Sequence, residues 1–287
     1  MNQKIEKYIE GIFASFNKGH QVDELKAELL MDLQERYSDL ILEGYDDASA
    51  FKLTIDSIGD LQNIITDMAD ERVVNQELLT NFTASNLPET DFKDVKAKRG
   101  KFKGSQLKGS DFSGADLTES TFAGSDVSAS IFDGANLTDC NLSGNNLNNT
   151  RYQNTILDRT NFSSSSLDGA EFIDVKLVGT KLTMTGLSKT TFERCVFIGT
   201  DFKYSDLRGV RFDGQTLMDI SFNKSSMEGT SFSGATLKNV SFCSMNDLTK
   251  KYYKAIKTIN FKGAIMDKLT YAALKNVGAN LSDVIIL

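Results

Sequence analysis

The chain has 287 residues and a formal net charge of −7, with 40% hydrophobic and 25% charged side chains. This balance is ordinary for a soluble protein, and no run approaches the roughly 18 apolar residues that cross a bilayer, so we expect no membrane association. The charge is uneven: residues 1–80 carry −10, residues 81–245 carry −1 and residues 246–287 carry +4.

Residues 1–79 are predicted to form an α-helical bundle domain. Apolar residues recur there at helical spacing, and glycines follow the first three runs. Asp46 is a good N-cap for the third helix. Short connections between amphipathic helices favour a compact bundle. The four predicted helices cover residues 5–16, 22–41, 47–58 and 60–68.

Part of this bundle resembles a known helical domain. The stretch DELKAEL at residues 23–29, followed by EGY at 43–45 and by residues 48–60, resembles the HAAS-type (permease-prefix) domain over roughly residues 20–62. That family often precedes membrane proteins in bacteria and is associated with PadR-type regulators. The resemblance implies a helical interaction domain, and no membrane segment follows it here.

The compartment is predicted from the cysteines and the N-terminus. An odd number of cysteines without CxxC spacing, namely Cys140, Cys195 and Cys243, argues against a disulfide framework or a zinc site. Glu6 and Glu10 interrupt the apolar residues at the N-terminus, so it is not a secretory signal. We therefore predict a cytoplasmic protein.

A five-residue period runs through residues 80–245 without changing phase. Every fifth residue from Phe82 to Phe242 is large and apolar except Ala97, which makes 33 positions. The residue two places earlier is mostly small, and the residue two places later is often glycine. Neither a strand nor an α-helix keeps every fifth side chain on one face, so the chain must turn within each unit. Glycine suits such a turn.

Phenylalanine and leucine alternate at these core positions, so the pattern repeats every ten residues. An even number of sides per coil satisfies this alternation. Four sides would make a coil of about twenty residues, in which like side chains stack on like. The core positions would then form two mainly phenylalanine columns and two mainly leucine columns.

These units resemble the pentapeptide repeats of the A-[D/N]-L-x-x type. Clear examples are SDFSG at residues 110–114, ADL at 115–117, ANL at 135–137 and SDLRG at 205–209. The resemblance implies a mainly β fold, a right-handed four-sided pentapeptide-repeat β-helix, over residues 80–245. The family includes quinolone-resistance proteins that look like B-DNA and bind gyrase.

Residues 246–287 are predicted to form C-terminal helices and a last partial coil. The phase breaks after Phe242, a helix is predicted over residues 248–259, and Phe261 and Met266 resume the period. A second short helix over 269–277 and a partial coil over 279–286 follow. In the family such elements often cap and dimerise the rod, and both roles stay open. The candidate dimer contacts are Tyr252, Ile256, Ile259 and Tyr271.

Basic residues cluster in the first coils. The only acidic residues between 91 and 110 are Asp91 and Asp94. The cluster is interpreted as a solvated surface or as a patch that docks the acidic helical domain or an acidic partner. No aromatic residue outside the core phase interleaves with it, so nucleic-acid binding is not expected. The candidate interaction patch is Lys93, Lys96, Lys98, Arg99, Lys101, Lys103 and Lys108.

No catalytic, cofactor or metal site is expected. His20 is the only histidine, so a Ser-His-Asp or Cys-His arrangement cannot operate inside the rod. Cys140 and Cys195 occupy the small inward position and are expected in the core, whereas Cys243 lies outside that position. The glycines follow the turn period and form no phosphate-binding motif.

Two functions follow from these observations. The first is a non-catalytic cytosolic protein-interaction scaffold or adaptor, with an unidentified protein partner and with homodimerisation through the C-terminal region as one option. The alternative is a DNA-mimic-like modulator of a type II topoisomerase (gyrase), as the family resemblance implies. That role requires a strongly negative rod, and the rod here sums to −1.

Overall fold

In the computed structural model of this protein, the structure describes residues 3–13, 20–57, 80–242 and 249–287. The chain divides into two compact units, residues 1–76 and 77–287. Among the described helices, none combines the length and apolar character that a membrane span requires.

The N-terminal unit contains three described helices: α1 (Gln3–Phe13), α2 (His20–Leu42) and α3 (Asp47–Asp56). Helix α1 buries Ile5, Ile9 and Phe13, which form one apolar cluster with Leu33 of α2. Residues i, i+4 and i+8 share a helix face, so the spacing in the sequence dictates this packing.

Asp46 is the N-cap of α3, as predicted. Its carboxylate accepts hydrogen bonds from the backbone N–H groups of Ala48 and Ser49, both at 3.0 Å. These two hydrogen bonds satisfy amide groups that have no partner within the helix. The predicted fourth helix over residues 60–68, and the predicted ends of the first and third helices, lie outside the described residues.

The second unit is a four-sided parallel β-helix, and the predicted mainly β fold class is confirmed. Up to Ser241, paired residues are twenty positions apart, as in the bridge between Lys101 and Thr121. The amide of Lys101 donates back to the Thr80 carbonyl at 2.8 Å, and the amide of Phe102 donates forward to the Thr121 carbonyl at 2.8 Å. Consecutive coils are thereby joined along every side.

Regular strands form mainly in the C-terminal half. A three-stranded sheet contains β1 (Arg151–Gln153), β2 (Glu171–Ile173) and β4 (Thr191–Glu193). The second sheet has six strands in the order β3-β5-β6-β7-β8-β9. Its members are β3 (Lys176–Val178), β5 (Val196–Ile198), β6 (Thr216–Met218), β7 (Thr236–Lys238), β8 (Ile265–Met266) and β9 (Ile285–Ile286).

The predicted phenylalanine columns are present in the core. Phe102 and Phe122 stack with ring centroids 4.5 Å apart and planes at 3°, whereas Phe102 and Phe112 meet edge to face at 5.8 Å. Offset stacks and edge contacts are the favourable arrangements of aromatic rings. The core therefore consists of two ring columns that contact each other across the coil.

The small inward position has a polar role as well as a steric one. The Ser120 hydroxyl donates to the Ala97 carbonyl at 2.7 Å and accepts from the Gly100 amide at 2.9 Å. Thr160 donates in the same way to the Leu137 carbonyl at 2.8 Å. Because a buried polar group without a partner is costly, these hydroxyls both fit the small site and satisfy the backbone of the preceding coil.

Each five-residue unit turns at its last residue. From residue 84 to residue 239, every residue two places after a core position has a positive φ, between 52° and 73°. Glycine adopts this region without a steric penalty, which explains the glycine period in the sequence. Nineteen of these positions nevertheless carry a side chain, among them Met184 and Tyr204.

Two helices interrupt the C-terminal coils, close to the predicted places. Helix α4 (Lys250–Ile256) lies between β7 and β8, and α5 (Lys268–Asn276) lies between β8 and β9. The ring of Phe261 stacks on Phe232 at 5.6 Å, and Met266 pairs in register with Leu237, so both resume the core columns as predicted.

Two of the four candidate dimer contacts do not lie on the surface. Ile256 and Ile259 are 1% and 3% exposed and belong to the core of the protein's own β-helix unit. Their spacing along one side of α4 therefore reflects packing within the chain. Tyr252 and Tyr271 are partly buried against the same core, and for these two the dimer contact stays a prediction.

Candidate protein-interaction faces

Apart from the small inward residue, the side chains between core positions point outward, and they form four faces. We name each face after the core column that lies beneath it. The first face lies over the column that begins at Phe82, and the second lies over the column that begins at Leu87. The third face lies over the column that begins at Phe92, and the fourth lies over the column that begins at Ala97. Outward residues twenty apart lie on the same face of neighbouring coils. Coils are separated by about 4.8 Å, so such residues are direct neighbours.

The structure spreads the predicted basic patch over all four faces. Successive units turn onto successive faces, so a dense run of lysines in the sequence becomes a belt around one coil. The seven residues therefore do not share one surface. Lys101 and Lys103 lie on the first face, Lys108 on the second, Lys93 on the third, and Lys96, Lys98 and Arg99 on the fourth.

Three members of this belt form ion pairs with the next coil. Lys93 Nζ lies 3.1 Å from Asp111, Lys98 Nζ lies 3.6 Å from Asp116, and Arg99 Nε lies 2.8 Å from Glu119. The hydrogen bond to Glu119 raises the pKa of Arg99. The basic side chain of each pair is exposed to solvent, so each pair contributes little to stability.

The first face carries a net positive charge. Between residues 81 and 241 its outward positions include five lysines and one acidic residue, Asp201, which gives a net charge of +4. Lys203 Nζ lies 3.4 Å from Asp201, and Lys103 and Lys181 form no ion pair among the described residues. The five are Lys101, Lys103, Lys181, Lys203 and Lys224.

The third face, on the opposite side of the coil, is acidic. Its outward positions between residues 91 and 234 include eight acidic and four basic residues, a net charge of −4. All four basic residues pair with acidic residues of the same face. The sum of −1 over the rod therefore conceals two oppositely charged faces. The eight are Asp91, Asp94, Asp111, Asp133, Glu171, Asp174, Glu193 and Asp213.

Two large side chains stand exposed among the lysines of the first face. Met184 and Tyr204 are 59% and 56% exposed and occupy the same turn column on neighbouring coils. Lys224, next in the column, donates from Nζ to the Tyr204 hydroxyl at 3.2 Å, and its Nζ lies 5.3 Å from the ring centroid. We call Lys181, Met184, Lys203, Tyr204 and Lys224 the first-face cluster.

One feature of the sequence points to this cluster, although the lysine-rich stretch from Lys93 to Lys108 is the more prominent pattern. Tyr204 is the only aromatic residue between 80 and 242 that lies outside the core phase. It also occupies a turn position with a φ of 61°, which disfavours any residue with a side chain. A residue that is neither in the core nor suited to the turn has no evident structural role, which makes it a candidate for binding.

The cysteines provide no reactive group in the described part of the chain. Cys140 and Cys195 are buried at the small inward position, as predicted, and the Cys140 thiol donates to the Leu117 carbonyl. Burial raises the pKa of Cys140 to about 12 and that of Cys195 to about 11, so both thiols stay protonated. Cys243 and the side chain of His20 lie outside the described residues.

The fold and its faces together define the class of protein. It is a repeat protein, in which a solenoid of twenty-residue coils presents flat charged sides. Family models for pentapeptide repeats match residues 79–149 in overlapping segments, and a model for a pentapeptide repeat region matches residues 148–222. Together the matches span half of the chain. The chain belongs to the pentapeptide-repeat family.

Several solved structures share this fold. HetL, a pentapeptide repeat protein involved in heterocyst differentiation regulation in the cyanobacterium Nostoc sp. strain PCC 7120, is 17% identical over 68% of this chain and 95% of its own, with a TM-score of 0.32. QnrB1, a plasmid-mediated fluoroquinolone resistance protein, is 18% identical over 71% and 91%, with a TM-score of 0.30. No curated protein sequence matches the chain.

Proposed function

We propose that this protein is a non-catalytic protein-interaction scaffold or adaptor that binds a partner through the first face of its β-helix. The observation that carries the proposal is the first-face cluster, where exposed Met184 and Tyr204 stand among three lysines on a face with a net charge of +4. Tyrosine is enriched among the residues that dominate the binding energy of interfaces, and methionine is enriched in interface cores. A rigid wall with such a cluster suits docking.

The absence of catalysis and the compartment are parts of the same proposal. Catalysis by a thiol needs an accessible thiolate, and the two described thiols are buried and protonated. Free cysteines also suit a reducing compartment, which supports the cytoplasm. Homodimerisation through Tyr252 and Tyr271 belongs to the proposal as well.

Affinity capture with the full chain as bait tests the proposal. A double variant, Lys181→Glu with Lys203→Glu, reverses the charge of the cluster, and Lys189→Glu makes the same exchange on the second face as a matched control. We expect a protein that the wild type and the control recover from a bacterial lysate and that the double variant loses, as quantified by mass spectrometry. Equal recovery by all three baits would contradict a role for the first face.

A second candidate is a DNA-mimic-like modulator of gyrase, and the acidic third face favours it. Asp91, Asp94 and Glu171 on this face take part in no ion pair among the described residues. A supercoiling assay with gyrase and a quinolone tests this role. If it holds, the protein changes the inhibition, and Asp91→Lys with Glu171→Lys reduces that change. No effect of the wild-type protein would eliminate the candidate.

A further inference from the structure

We propose that the first-face cluster recognises a short acidic peptide segment of the partner that carries at least one aromatic or large aliphatic side chain. This inference rests on the proposed function and specifies the chemistry of the partner. It follows from the charge of the cluster, its apolar surface, its size and the backbone conformation of its central residue.

Charge sets the first requirement on the partner. The cluster contains three lysines on a face with a net charge of +4, and the one acidic residue of that face, Asp201, lies 3.4 Å from Lys203 Nζ. The ammonium groups are exposed, so they attract carboxylates across solvent and select against basic segments. An acidic segment is the complementary partner.

Apolar surface sets the second requirement. Met184 and Tyr204 lie on adjacent coils of one column, so their side chains are neighbours at the coil spacing of about 4.8 Å. More than half of each side chain is exposed. A methionine beside a tyrosine forms an adaptable apolar surface, which an aromatic or large aliphatic residue of the partner would bury.

Size favours a short peptide over a nucleic acid. The cluster spans three coils, roughly 10 Å along the rod. The next basic residues on the same face, Lys101 and Lys103, are separated from it by three coils without charged outward residues. A long polyanion would find no continuous basic track there.

The backbone conformation of Tyr204 offers a test that separates binding from folding. Its φ is 61°, where glycine is preferred, so Tyr204→Gly relieves strain while it removes the ring. A purely structural tyrosine would lose stability on this change. A binding tyrosine would lose affinity while the fold stays at least as stable.

The probe is a fluorescein-labelled glutamate-rich peptide with one phenylalanine, and its binding to the full chain is measured by fluorescence anisotropy. We expect saturable binding that weakens with added salt. Tyr204→Gly is expected to weaken it roughly tenfold, without lowering the melting temperature. Lys181→Glu with Lys203→Glu is expected to weaken it at least as much, whereas Lys189→Glu leaves it unchanged.

Two comparison probes complete the experiment. The same peptide with alanine in place of phenylalanine is expected to bind roughly tenfold more weakly. A labelled single-stranded oligonucleotide of equal charge is expected to bind more weakly than the peptide. Tighter binding of the oligonucleotide, or unchanged peptide binding by Tyr204→Gly, overturns the inference. If the peptide fails but partner capture still depends on Lys181 and Lys203, the inference falls and the proposed function stands.

Discussion

The first and third faces lie on the same coils and share one backbone register, yet they carry net charges of +4 and −4. They also differ beneath the surface. The core column of the third face is aromatic without a break from Phe92 to Phe261, whereas Leu142 and Leu182 interrupt the column of the first face. The inward-pointing residues determine the geometry of the coil, whereas the outward-pointing residues can differ from face to face without changing it.

The largest expected effect comes from removing one ring in each column. Phe112 of the third face stacks on Phe92 at 4.8 Å and on Phe132 at 5.1 Å. Phe162 of the first face has no stacked ring and meets only the edges of Tyr152 and Phe172. We expect Phe112→Ala to lower the free energy of unfolding by about 4 kcal/mol and Phe162→Ala by about 3 kcal/mol. Urea unfolding measures both, and equal losses would contradict a contribution from stacking.

A second test concerns how the first-face column tolerates its gap at Leu182. The coil that contains Leu182 has its second phenylalanine at Phe197, in a leucine column, where the ring meets Phe192 at 5.2 Å and Phe202 at 5.9 Å. We interpret Phe197 as filling the volume that Leu182 leaves. Leu182→Phe and Phe197→Leu are each expected to cost about 1–2 kcal/mol, and the double exchange is expected to recover most of the loss. Additive losses would show that the two sites are independent.

Glycine substitutions in the turn columns of the two faces are expected to have a smaller effect, and the larger one raises the free energy of unfolding instead of lowering it. Tyr204 on the first face and Asn154 on the third both have positive φ, 61° and 54°. Asparagine tolerates this region and tyrosine does not. Tyr204→Gly is therefore expected to raise the free energy of unfolding by about 0.5 kcal/mol, and Asn154→Gly to change it by less. Thermal unfolding of the two variants side by side checks the difference, and a loss on Tyr204→Gly would assign the ring a structural role.

Acid titration is expected to have the smallest effect and, of these two faces, to act on the third. A hydrogen bond from Arg194 lowers the pKa of Asp174. For Asp111, burial acts to raise the pKa, but hydrogen bonds from Ser113 and Lys93 outweigh it and lower the pKa. A carboxyl with a lowered pKa stabilises the fold above its unfolded value, about 3.9, and this contribution is lost as the pH falls through the folded pKa.

The melting temperature should therefore stay level down to about pH 4 and fall below it. Asp174→Asn should reduce the slope of that fall, and Lys181→Gln on the first face should leave it unchanged. A steeper fall in Asp174→Asn would contradict a contribution of Asp174 to the acid effect.

The core and the turns could be predicted from the sequence because they depend on local geometry. A side chain such as Phe122 must point inward in any coil of this period, and the residue two places later must turn, whatever the neighbouring coils contain. Local patterns of the same kind predicted that Cys140 and Cys195 lie in the core and that Asp46 caps a helix. Helical spacing was misleading for Ile256 and Ile259, because it reflected packing within the chain rather than a surface for a second copy.

The sequence by itself thus determined the period, an even number of sides, the alternation of phenylalanine and leucine in the core and the turns, since each follows from where one unit can place its own side chains. Only the tertiary structure decided which outward residues are neighbours. Lys93 and Lys103 are ten residues apart and lie on opposite faces, whereas Tyr204 and Lys224 are twenty residues apart and in contact. The reason is that the chain turns a corner every five residues, so that residues one full coil apart meet and residues close in sequence separate.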